Sequence, residues 1–516
     1  MLELQNVSLR LPNGKYLIRN LSFVLNPGDR MALIGEEGNG KTTLLTILAA
    51  NNSPGIELFG SVHRQKERIG WLKQSLSDEE LKMTPRSYLS MELGEQHLQQ
   101  MGGDWIRTLH MFGLSREQIL SDRILYTFSG GEQVKIQLLR LMYGSFTVLL
   151  LDEPTNNLDL DTLSFFEDFM IKETRPILFV SHDEWLLSSC ANRVLHLEHI
   201  KKKQEERWTL FNGGYDEYIN NRQMSFNKQD QVATYERRKR KEKIDKLQQI
   251  RSKVEYQQNQ AVRNPTLGRL LKKRMHVILS QERRMEREPL TPYAISEEEI
   301  DLRFPPSMGL PSRRRVLELV DLSISREGKT LYKNINLTLM GNRKMAIIGR
   351  NGVGKTTLIR EILSHLQANQ LRVGWMPQVY SQVLPLDKTP VEYLSSIAGY
   401  DKTNQIMIRN HLGALHFRPE EMITPIRLRS GGQQAKIILL SLVLRNPDIL
   451  VLDEPTRNLS PLALPTIRAL FASFPGPILA VSHDRAFLAS VFDEIWELTE
   501  VGLYQLTEID SILQPL

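Results

Sequence analysis

Apolar runs that end in a pair of acidic residues occur twice in the chain. LLLDEP at 149–154 and LVLDEP at 450–455 each carry a continuous apolar stretch followed by Asp-Glu. Such a stretch predicts a parallel strand that is buried on both faces and places its carboxylates at the carboxyl end. Each block also contains an apolar strand that leads through a glycine-rich turn into a helix. The pattern therefore predicts two α/β blocks with parallel sheets.

The region between these blocks has a helical periodicity. Two apolar stripes recur there within a sequence that is otherwise rich in Arg and Lys. We expect Pro265 and Gly268 to break the helix between them, so that two antiparallel helices pack along their stripes. A first helix of roughly 37 residues would reach ~55 Å. The stripes consist of Ile244, Leu247, Ile250 and Val254, and of Leu271, Met275, Ile278 and Met285.

The two α/β blocks are copies of one another. ALIGEEGNGKTTLLTIL at 32–48 recurs as AIIGRNGVGKTTLIREIL at 346–363, and FSGGEQVKIQLLRL at 128–141 recurs as RSGGQQAKIILLSL at 429–442. In both copies the serine of the SGG motif precedes the glutamate of the acidic pair by 24 residues, and this glutamate precedes a histidine by 29. An internal repeat with identical spacing indicates two copies of one domain.

Length and composition fit this organisation. With 516 residues, of which 41% are apolar, the chain can bury more than one core, and a prior of roughly 150 residues per domain predicts about three units. The single cysteine, Cys190, excludes an internal disulfide and is typical of a reducing compartment. No apolar run approaches the length of a membrane span. We therefore expect a soluble, cytoplasmic protein.

The positive charge is concentrated in the middle of the chain. The segment 222–287 contains 19 Lys and Arg against 7 Asp and Glu, a net charge of +12. The remaining residues carry 47 basic and 53 acidic side chains, a net charge of −6. A cationic block between two mildly acidic ones indicates a polyanionic partner for that block alone.

Both glycine-rich turns match the pattern G-x-x-x-x-G-K-T of a P-loop. Glycines let backbone N–H groups wrap phosphates at the positive end of a helix, a lysine adds a cation, and a threonine offers its hydroxyl to Mg²⁺. A single match could be an ordinary strand-to-helix turn, but two in register favour two nucleotide sites. The predicted residues are Gly35, Gly38, Gly40, Lys41, Thr42 and Thr43, and Gly349, Gly352, Gly354, Lys355, Thr356 and Thr357.

The acidic pairs predict hydrolysis at these sites. Carboxylates at the carboxyl end of a parallel strand lie where ligands bind in open α/β sheets. Asp152 and Asp453 are placed to hold Mg²⁺ through water, and Glu153 and Glu454 to orient or deprotonate the attacking water. The alternative, that these acids only cap the next turn, is weaker for a paired Asp-Glu at a strand end.

This set of motifs resembles the ATP-binding cassette (ABC) family. The resemblance implies that Gln74 and Gln378 are Q-loop residues that bind nucleotide and Mg²⁺, and that His182 and His483 are switch histidines at the γ-phosphate. Two cassettes of this family dock head to tail, so one chain would supply both ATP sites as a monomer. Of the signature residues, Ser129, Gly130 and Gly131 would face the ATP held by Lys355, and Ser430, Gly431 and Gly432 the ATP held by Lys41.

Some positions depart from the family pattern. Glu132 and Arg429 replace the usual residues of the signature motifs, and the second D-loop reads RNLS where the first reads NNLD. The aromatic residue that usually stacks on adenine is missing at Leu11 and at position 326. These departures put the equivalence of the two sites in question, whereas the residues for hydrolysis are present in both.

The connector resembles that of the ABC-F family, the soluble tandem-cassette proteins of translation. FNGGYDEYINNRQ at 211–223 is similar to the motif that opens the linker of this family. The expected fold is α/β, with two tandem P-loop ABC nucleotide-binding domains joined by a long antiparallel α-helical hairpin linker. The first ABC ATPase domain would comprise residues 1–205, the basic linker 206–314 with its tip near 255–269, and the second ABC ATPase domain 315–516.

The resemblance implies the ribosome as the partner, through large-subunit rRNA and the P-site tRNA, with no membrane subunit. In this family the linker enters the tRNA exit site and its tip extends toward the peptidyl-transferase centre. Dense RNA phosphate would attract the basic face of the hairpin. The predicted RNA-binding residues are Arg237, Arg238, Lys239, Arg240, Lys241, Lys243, Arg263, Arg269, Lys272, Lys273 and Arg274.

Members of this family are either housekeeping translation factors that relieve stalled or idle ribosomes, or proteins that protect the ribosome from antibiotics. The interval from P-loop lysine to signature serine is 88 residues in the first copy and 75 in the second, which leaves little room for the arm insertion of many housekeeping members. We therefore favour ribosome protection, with ATP hydrolysis driving release. A transporter ATPase subunit is less favoured because of the basic hairpin, and a DNA-handling ATPase because neither cassette is interrupted.

Overall fold

The structure is a computed structural model. It describes residues 2–50, 55–64, 66–95, 98, 102–155, 158–199, 205–260, 265–287, 302–305, 310–326, 329–368, 370–499 and 501–506. Secondary structure follows the repeat seen in the sequence, with two α/β series separated by two long helices. The predicted α/β tandem architecture is confirmed.

Two sheets form the first cassette. The smaller one is antiparallel, with strand order β2-β1-β4, and the larger has the order β5-β6-β7-β3-β8-β9, in which every neighbouring pair is parallel except β8 and β9. The strands are β1 (Leu2–Arg10), β2 (Tyr16–Leu25), β3 (Arg30–Ile34), β4 (Glu57–His63), β5 (Ile69–Leu72), β6 (Val148–Asp152), β7 (Ile177–Val180), β8 (Arg193–His199) and β9 (Glu205–Asn212).

Several helices of the first cassette begin with a side-chain cap. Ser129, for example, accepts a hydrogen bond from the backbone N–H of Glu132, whose carboxylate in turn accepts one from the N–H of Ser129. The helices of the first cassette are Lys41–Ala50, Asp78–Leu81, Pro85–Leu93, Gly103–Met111, Arg116–Leu120, Gly130–Tyr143, Leu160–Lys172 and Glu184–Cys190.

The second cassette repeats this plan. Its main sheet has the order β13-β14-β15-β12-β16-β17, again parallel except for the last pair, beside the antiparallel pair β10-β11. The strands are β10 (Arg315–Arg326), β11 (Lys329–Met340), β12 (Lys344–Ile348), β13 (Val373–Met376), β14 (Ile449–Asp453), β15 (Ile478–Val481), β16 (Glu494–Leu498) and β17 (Leu503–Gln505). The helices are Lys355–Ala368, Pro390–Ala398, Lys402–Ala414, Pro419–Met422, Gly431–Arg445, Leu464–Ala472 and Arg485–Val491.

The apolar runs before the acidic pairs are central strands, as predicted. All five residues of β6 and of β14 are buried. Asp152 is aligned with Val180 on β7, and Asp453 with Val481 on β15, so each carboxylate lies at the carboxyl edge of its sheet. The sequence pattern therefore positions the acidic pairs at the edge where α/β sheets bind ligands.

The linker forms two long helices, Tyr215–Gln260 and Pro265–Arg287. The first has 46 residues and is therefore about 69 Å long. This is longer than expected, because the helix already begins at the tyrosine of the linker-entry motif. Pro265 starts the second helix, where its missing N–H has no cost, whereas the expectation that Gly268 breaks the helix is wrong, since it lies within this element.

An apolar seam joins the two linker helices. Val254, Leu271 and Ile278 are buried in one cluster, with Leu247 and Met275 packed against it, so most of the predicted stripes are confirmed. Ile244 and Met285 are half-buried and lie outside this cluster, and Ile250 is exposed, with an exposed fraction of 41%. At 100° per residue it lies roughly 60° from Leu247 around the helix and falls outside the seam.

By its internal contacts, the chain divides into two compact units. Both cassettes belong to one unit, Met1–Tyr215 with Glu297–Leu516, and the linker helices to the other, Asp216–Ser296. The domain boundaries predicted from the sequence stay a prediction. Within the ranges given above, no helix is both long and apolar enough to cross a membrane.

Candidate nucleotide sites at the cassette interface

Only glycine fits at the start of each P-loop. Gly35 and Gly349 have φ values of 143° and 146°. A Cβ atom at Gly35 would lie 2.3 Å from the carbonyl oxygen of Leu197, and one at Gly349 would lie 2.3 Å from that of Leu498. The other predicted P-loop glycines, Gly38, Gly40, Gly352 and Gly354, also have positive φ values. The loops therefore keep the close backbone approach that a phosphate cradle needs.

Both P-loop lysines are buried beneath their own loops. Lys41 Nζ donates to the carbonyl oxygens of Gly35 at 2.6 Å and Glu36 at 3.1 Å. Lys355 Nζ makes the equivalent bonds to Gly349 and Arg350. The loop thus places each ammonium group at the amino end of the following helix, beside Thr42 and Thr43 or Thr356 and Thr357.

The residues at the strand ends suit Mg²⁺. Asp152 is buried, and neither of its carboxylate oxygens accepts a hydrogen bond from the residues that the structure describes. Burial raises its pKa to about 6 and also raises the pKa of Asp453. Thr356 Oγ1 donates to Asp453 Oδ2 at 3.2 Å. Carboxylate and hydroxyl oxygens are ligands that this cation prefers, and its charge would remove the cost of burying them.

The two glutamates next in sequence have a strained backbone. Glu153 and Glu454 have φ values of 53° and 52°, in the left-handed region that non-glycine residues seldom adopt. Their N–H groups donate to the carbonyl oxygens of Val180 at 3.0 Å and Val481 at 2.9 Å, which hold the conformation. Strain that is fixed in this way is typical of functional sites.

The glutamate–histidine pairs differ between the cassettes. His182 Nε2 lies 3.0 Å from Glu153 Oε1, whereas His483 Nε2 lies 3.8 Å from Glu454 Oε1. Burial would raise the pKa of Glu153, but the charge and hydrogen bonds of His182 lower it below its ordinary value. Burial and then Asp453 raise the pKa of Glu454 to about 7, and burial lowers the pKa of His483 to about 3. These shifts favour the uncharged forms of both Glu454 and His483.

Two clefts contain the predicted Q-loop residues. Gln378 lines a cavity of about 260 Å³ with Lys355, Thr356, Glu454 and His483. The other cleft, of about 430 Å³, brings Gln74, Gly130 and Glu153 of the first cassette beside Arg457 of the second. Residues that are far apart in the sequence thus line common clefts.

The signature serines begin two long helices, Gly130–Tyr143 and Gly431–Arg445, and cap them with their side chains. The N–H of Gly432 donates to Glu37 Oε2 of the first P-loop at 2.7 Å. This contact places the second signature motif beside the P-loop of the first cassette, in the pairing predicted above. The pairing of the first signature motif with Lys355 stays a prediction; the second P-loop approaches the first cassette through Arg350, which lies 3.7 Å from Asp161.

Several residues at this interface were not predicted as functional. Arg485 Nη1 lies 3.1 and 3.0 Å from the two carboxylate oxygens of Glu167, and its Nη2 donates to Ser164 at 2.7 Å. Arg468 pairs with Glu184. Comparison of the two repeats could have identified Arg457, because the D-loop sequences differ there. It could also have identified Glu36 and Glu37, which stand where the second copy has Arg350 and Asn351. The other ion pairs leave no signal in a single copy of the sequence.

Two tyrosines, Tyr16 and Tyr332, lie a few residues beyond the positions where the adenine-stacking aromatic residue is missing. Tyr332 is buried, with an exposed fraction of 3%, and so presents no ring face to a base. The ring of Tyr16 is covered by the guanidinium of Arg19 at 4.3 Å from its centroid. Base stacking is therefore assigned to neither.

The basic residues of the linker are mostly exposed. Arg238 pairs with Glu242 at 3.1 Å along the helix, and Lys239 lies 4.5 Å from the ring centroid of Tyr235. Arg237 and Arg240 are partly buried, and Arg263 lies outside the described residues. The exposed members of the predicted RNA-binding set are Arg238, Lys239, Lys241, Lys243, Arg269, Lys272, Lys273 and Arg274.

Comparison with known proteins agrees with this arrangement. The family model described as ABC transporter matches residues 18–156 and 332–457, about half of the chain. The chain therefore belongs to the ABC family and carries its ATP-binding domain twice. It binds ATP with Mg²⁺ and is an ATPase.

The relatives confirm the ABC-F branch that the linker motif predicted. ATP-binding cassette sub-family F member 2 of Mus musculus is 26% identical, over 95% of this chain and 79% of its own length. Ribosome protection protein VmlR of Bacillus subtilis (strain 168) is 26% identical, over 99% of this chain and 89% of its own. Archaeal ribosome recycling factor aABCE1, solved in complex with ribosomal stalk protein aP1, shares the fold with a TM-score of 0.61 at 16% identity, over 97% of this chain and 90% of that one.

Proposed function

We propose that this ABC-F ATPase binds the ribosome and protects it from antibiotics. Its linker hairpin would enter the tRNA exit site and carry the tip toward the peptidyl-transferase centre, beside the P-site tRNA. ATP binding would close the cassettes and favour the ribosome-bound state, and hydrolysis would release the protein. One chain would thus combine a nucleotide switch with a basic probe.

The observation that carries this proposal is the charge of the hairpin. The segment 222–287 has a net charge of +12 in a chain whose other residues sum to −6. Eight of the eleven predicted RNA-binding side chains are exposed. Ribosomal RNA presents the dense phosphate that such a surface attracts, and neutralised phosphates release counterions on binding.

The packing of the hairpin supports a role in binding a partner rather than a role as a passive connection between the cassettes. Its apolar side chains, such as Val254, Leu271 and Ile278, pack on one another in a seam. Arg251 Nη1 lies 3.5 Å from Glu282 Oε2 across the same pair of helices. Because these apolar side chains pack on one another, basic side chains of the first helix such as Arg238, Lys239 and Lys241 stay exposed to a partner.

Each site residue has a role in the switch. Glu153 and Glu454 would orient or deprotonate the attacking water, and the switch histidines would sense the γ-phosphate. Bound Mg²⁺ neutralises charge that develops on the phosphates. Closure pulls the cassettes together across ion pairs such as that between Arg485 and Glu167, and a ligand that binds the closed state better shifts the population toward it.

The proteins that this chain resembles support a ribosomal partner. One relative is a ribosome protection protein, and the archaeal protein that shares the fold is a ribosome recycling factor. The likeness to a ribosome protection protein favours protection over the housekeeping role, which is the second candidate.

The test combines ribosome co-sedimentation with drug tolerance. Glu153→Gln, Glu454→Gln protein should pellet with 70S ribosomes when ATP is present and not when it is omitted. Expression of the wild type should raise the tolerance of cells to peptidyl-transferase inhibitors, and deletion of residues 255–269 should abolish this tolerance. The matched control is the same deletion in the hydrolysis-deficient protein, whose binding is measured in parallel.

Each other outcome has a definite meaning. ATP-dependent binding without drug tolerance would favour the housekeeping role. Absence of ribosome binding in the hydrolysis-deficient protein would contradict the proposal, and the soluble ATPase subunit of a transporter would then become the better hypothesis.

A further inference from the structure

The two P-loops carry opposite charges at equivalent positions. Glu36 and Glu37 follow the first glycine of the first P-loop, where the second has Arg350 and Asn351. A P-loop binds polyphosphate through positive groups, so two carboxylates within it need an explanation.

Glu37 contacts the other cassette at its signature motif. Its Oε2 accepts the hydrogen bond from the N–H of Gly432 at 2.7 Å. Gly432 lies in the first turn of the helix Gly431–Arg445, where backbone N–H groups lack partners within the helix and the helix dipole favours an anion. The contact is close, since a Cβ atom at Gly432 would lie 3.4 Å from the same oxygen. A carboxylate of this chain therefore occupies a donor of the signature motif.

Glu36 makes a second bridge to the same helix. Its Oε1 lies 2.7 Å from Lys436 Nζ, and the side chains of Lys436 and Glu36 are only 9% and 12% exposed. In the first cassette the equivalent lysine, Lys135, pairs instead with Asp159 of its own D-loop at 3.2 Å. Ser460 stands at the position of that aspartate in the second cassette. Glu36 thus supplies, from the opposite cassette, the carboxylate that this D-loop lacks.

These two bridges change what the site around Lys41 can bind. The resemblance to ABC proteins implies that the second signature motif faces the ATP held by Lys41. The P-loop backbone cradles the inner phosphates of a nucleotide, so the γ-phosphate is the group that extends beyond the loop toward the opposite cassette. The carboxylate of Glu37 and a γ-phosphate cannot both accept from Gly432 without strong repulsion between like charges at short distance. ADP has no γ-phosphate and meets no such competition.

We propose that Glu37 is a specificity-determining residue that competes with the γ-phosphate for the second signature motif, so that the Lys41 site discriminates against ATP relative to ADP. The Lys355 site has Asn351 at this position and lacks the competitor. The cassettes can then stay bridged at the Lys41 site without a triphosphate, and ATP at the Lys355 site governs opening and closing. The inference concerns nucleotide binding by the free protein and does not depend on the ribosome.

The test measures ATP and ADP affinities one site at a time by isothermal titration calorimetry with Mg²⁺. In full-length protein with Lys355→Ala and Glu153→Gln, binding reports the Lys41 site without hydrolysis. Adding Glu37→Asn, which installs the residue of the other P-loop, should lower the ratio of Kd for ATP to Kd for ADP about tenfold, or about 1.4 kcal/mol. Glu37→Gln removes the charge with less change of shape and should shift the ratio in the same direction. The ADP affinity shows that each variant is folded.

The reciprocal experiment uses the matched position in the other site. In protein with Lys41→Ala and Glu454→Gln, Asn351→Glu should raise the same ratio. A ratio at the Lys41 site that stays within about twofold in both Glu37 variants, or weaker ATP binding in them, would overturn the proposal. So would a failure of the Lys41 site to bind ADP. None of these results bears on ribosome binding, so the two proposals fail separately.

Discussion

The P-loop that holds Lys41 reaches the other cassette through two carboxylates, whereas the P-loop that holds Lys355 does so through an arginine. The first contact is buried, with side chains 9% and 12% exposed in the pair of Lys436 and Glu36. The second is a surface pair, since Arg350 and Asp161 are 75% and 70% exposed. The two copies share one fold but differ at the P-loop residues that touch the opposite copy.

The glutamate–histidine pairs of the two sites also differ. Glu153 is held by His182 and its pKa is lowered, whereas the pKa of Glu454 is raised to about 7 by burial and by Asp453. A general base works best when its pKa is near the operating pH. The competition proposed above between Glu37 and the γ-phosphate makes the Lys355 site the more active of the two.

The largest effect is expected from removing the catalytic glutamates one at a time. Glu454→Gln should lower steady-state ATP turnover by about 10²-fold or more, the range of a missing general base. Glu153→Gln should lower it by less than about tenfold, because the Lys41 site contributes little turnover on this account. The measurement is phosphate release by purified protein, with the exposed Glu361→Gln as the matched control. Equal reductions in the two variants would remove the proposed asymmetry.

Breaking the buried bridge should have the next largest effect. Glu36→Gln leaves Lys436 without its charged partner, and the removal of one member of a buried pair typically costs about 3–5 kcal/mol. Thermal denaturation should show a lower Tm. Adding Ser460→Asp recreates the D-loop pairing seen between Lys135 and Asp159 and should restore most of the stability. If adding Ser460→Asp does not restore the Tm, Glu36 does not stand in for the missing D-loop aspartate.

A smaller effect is expected from the acidic pair that follows the switch histidines. Desolvation and then the charge of Asp484 raise the pKa of Asp183 from 3.8 to about 7, and Glu167 adds to the rise while Arg485 opposes it. A raised pKa means that this group contributes stability fully below pH 3.8 and loses it as the pH rises through about 7. Asp183→Asn keeps the helix cap and should raise Tm at pH 8 more than at pH 5.5. Equal changes at both pH values would exclude this titration.

The smallest effect is expected at the exposed pair. Arg350→Gln should change stability by less than about 1 kcal/mol, because exposed ion pairs gain little in water. Its Tm, measured beside that of Glu36→Gln, compares equivalent positions of the two P-loops directly. A destabilisation as large as that of Glu36→Gln would show that burial does not explain the difference between the sites.

The sequence predicted the elements whose residues contact their own neighbours. Glycines with fixed spacing and a strand that ends in Asp-Glu specify local geometry, and Gly35 and Asp152 are placed as expected. In the linker, Leu247 and Val254 lie on the seam, whereas Ile250 does not, because the apolar stripe is wider than the contact it makes. The angular position of the second helix decides which apolar residues are buried. The spacing of apolar residues along the sequence does not reveal that position.

The side-chain contacts between the cassettes could not be predicted from local patterns, although the resemblance to ABC proteins predicted that the second signature motif faces the first P-loop. Glu37 and Gly432 are 395 residues apart, and their meeting depends on how two folded surfaces dock. The reversed charges of the two P-loops were visible in the repeat, but only the structure connects Glu36 with the serine that replaces a D-loop aspartate.

The most direct test of the proposed function is a salt titration of ribosome binding. Protein with Glu153→Gln and Glu454→Gln is compared, in the presence of ATP, with the same protein in which six basic residues are replaced by glutamine, which favours helix. The account predicts weaker binding by the second protein and a salt dependence that is shallower by about one unit of log K per log salt for each phosphate that the replaced side chains no longer neutralise. Equal affinity and equal slope would contradict the assignment of the hairpin as the RNA-binding element. The six residues are Arg237, Arg238, Lys239, Arg240, Lys241 and Lys243.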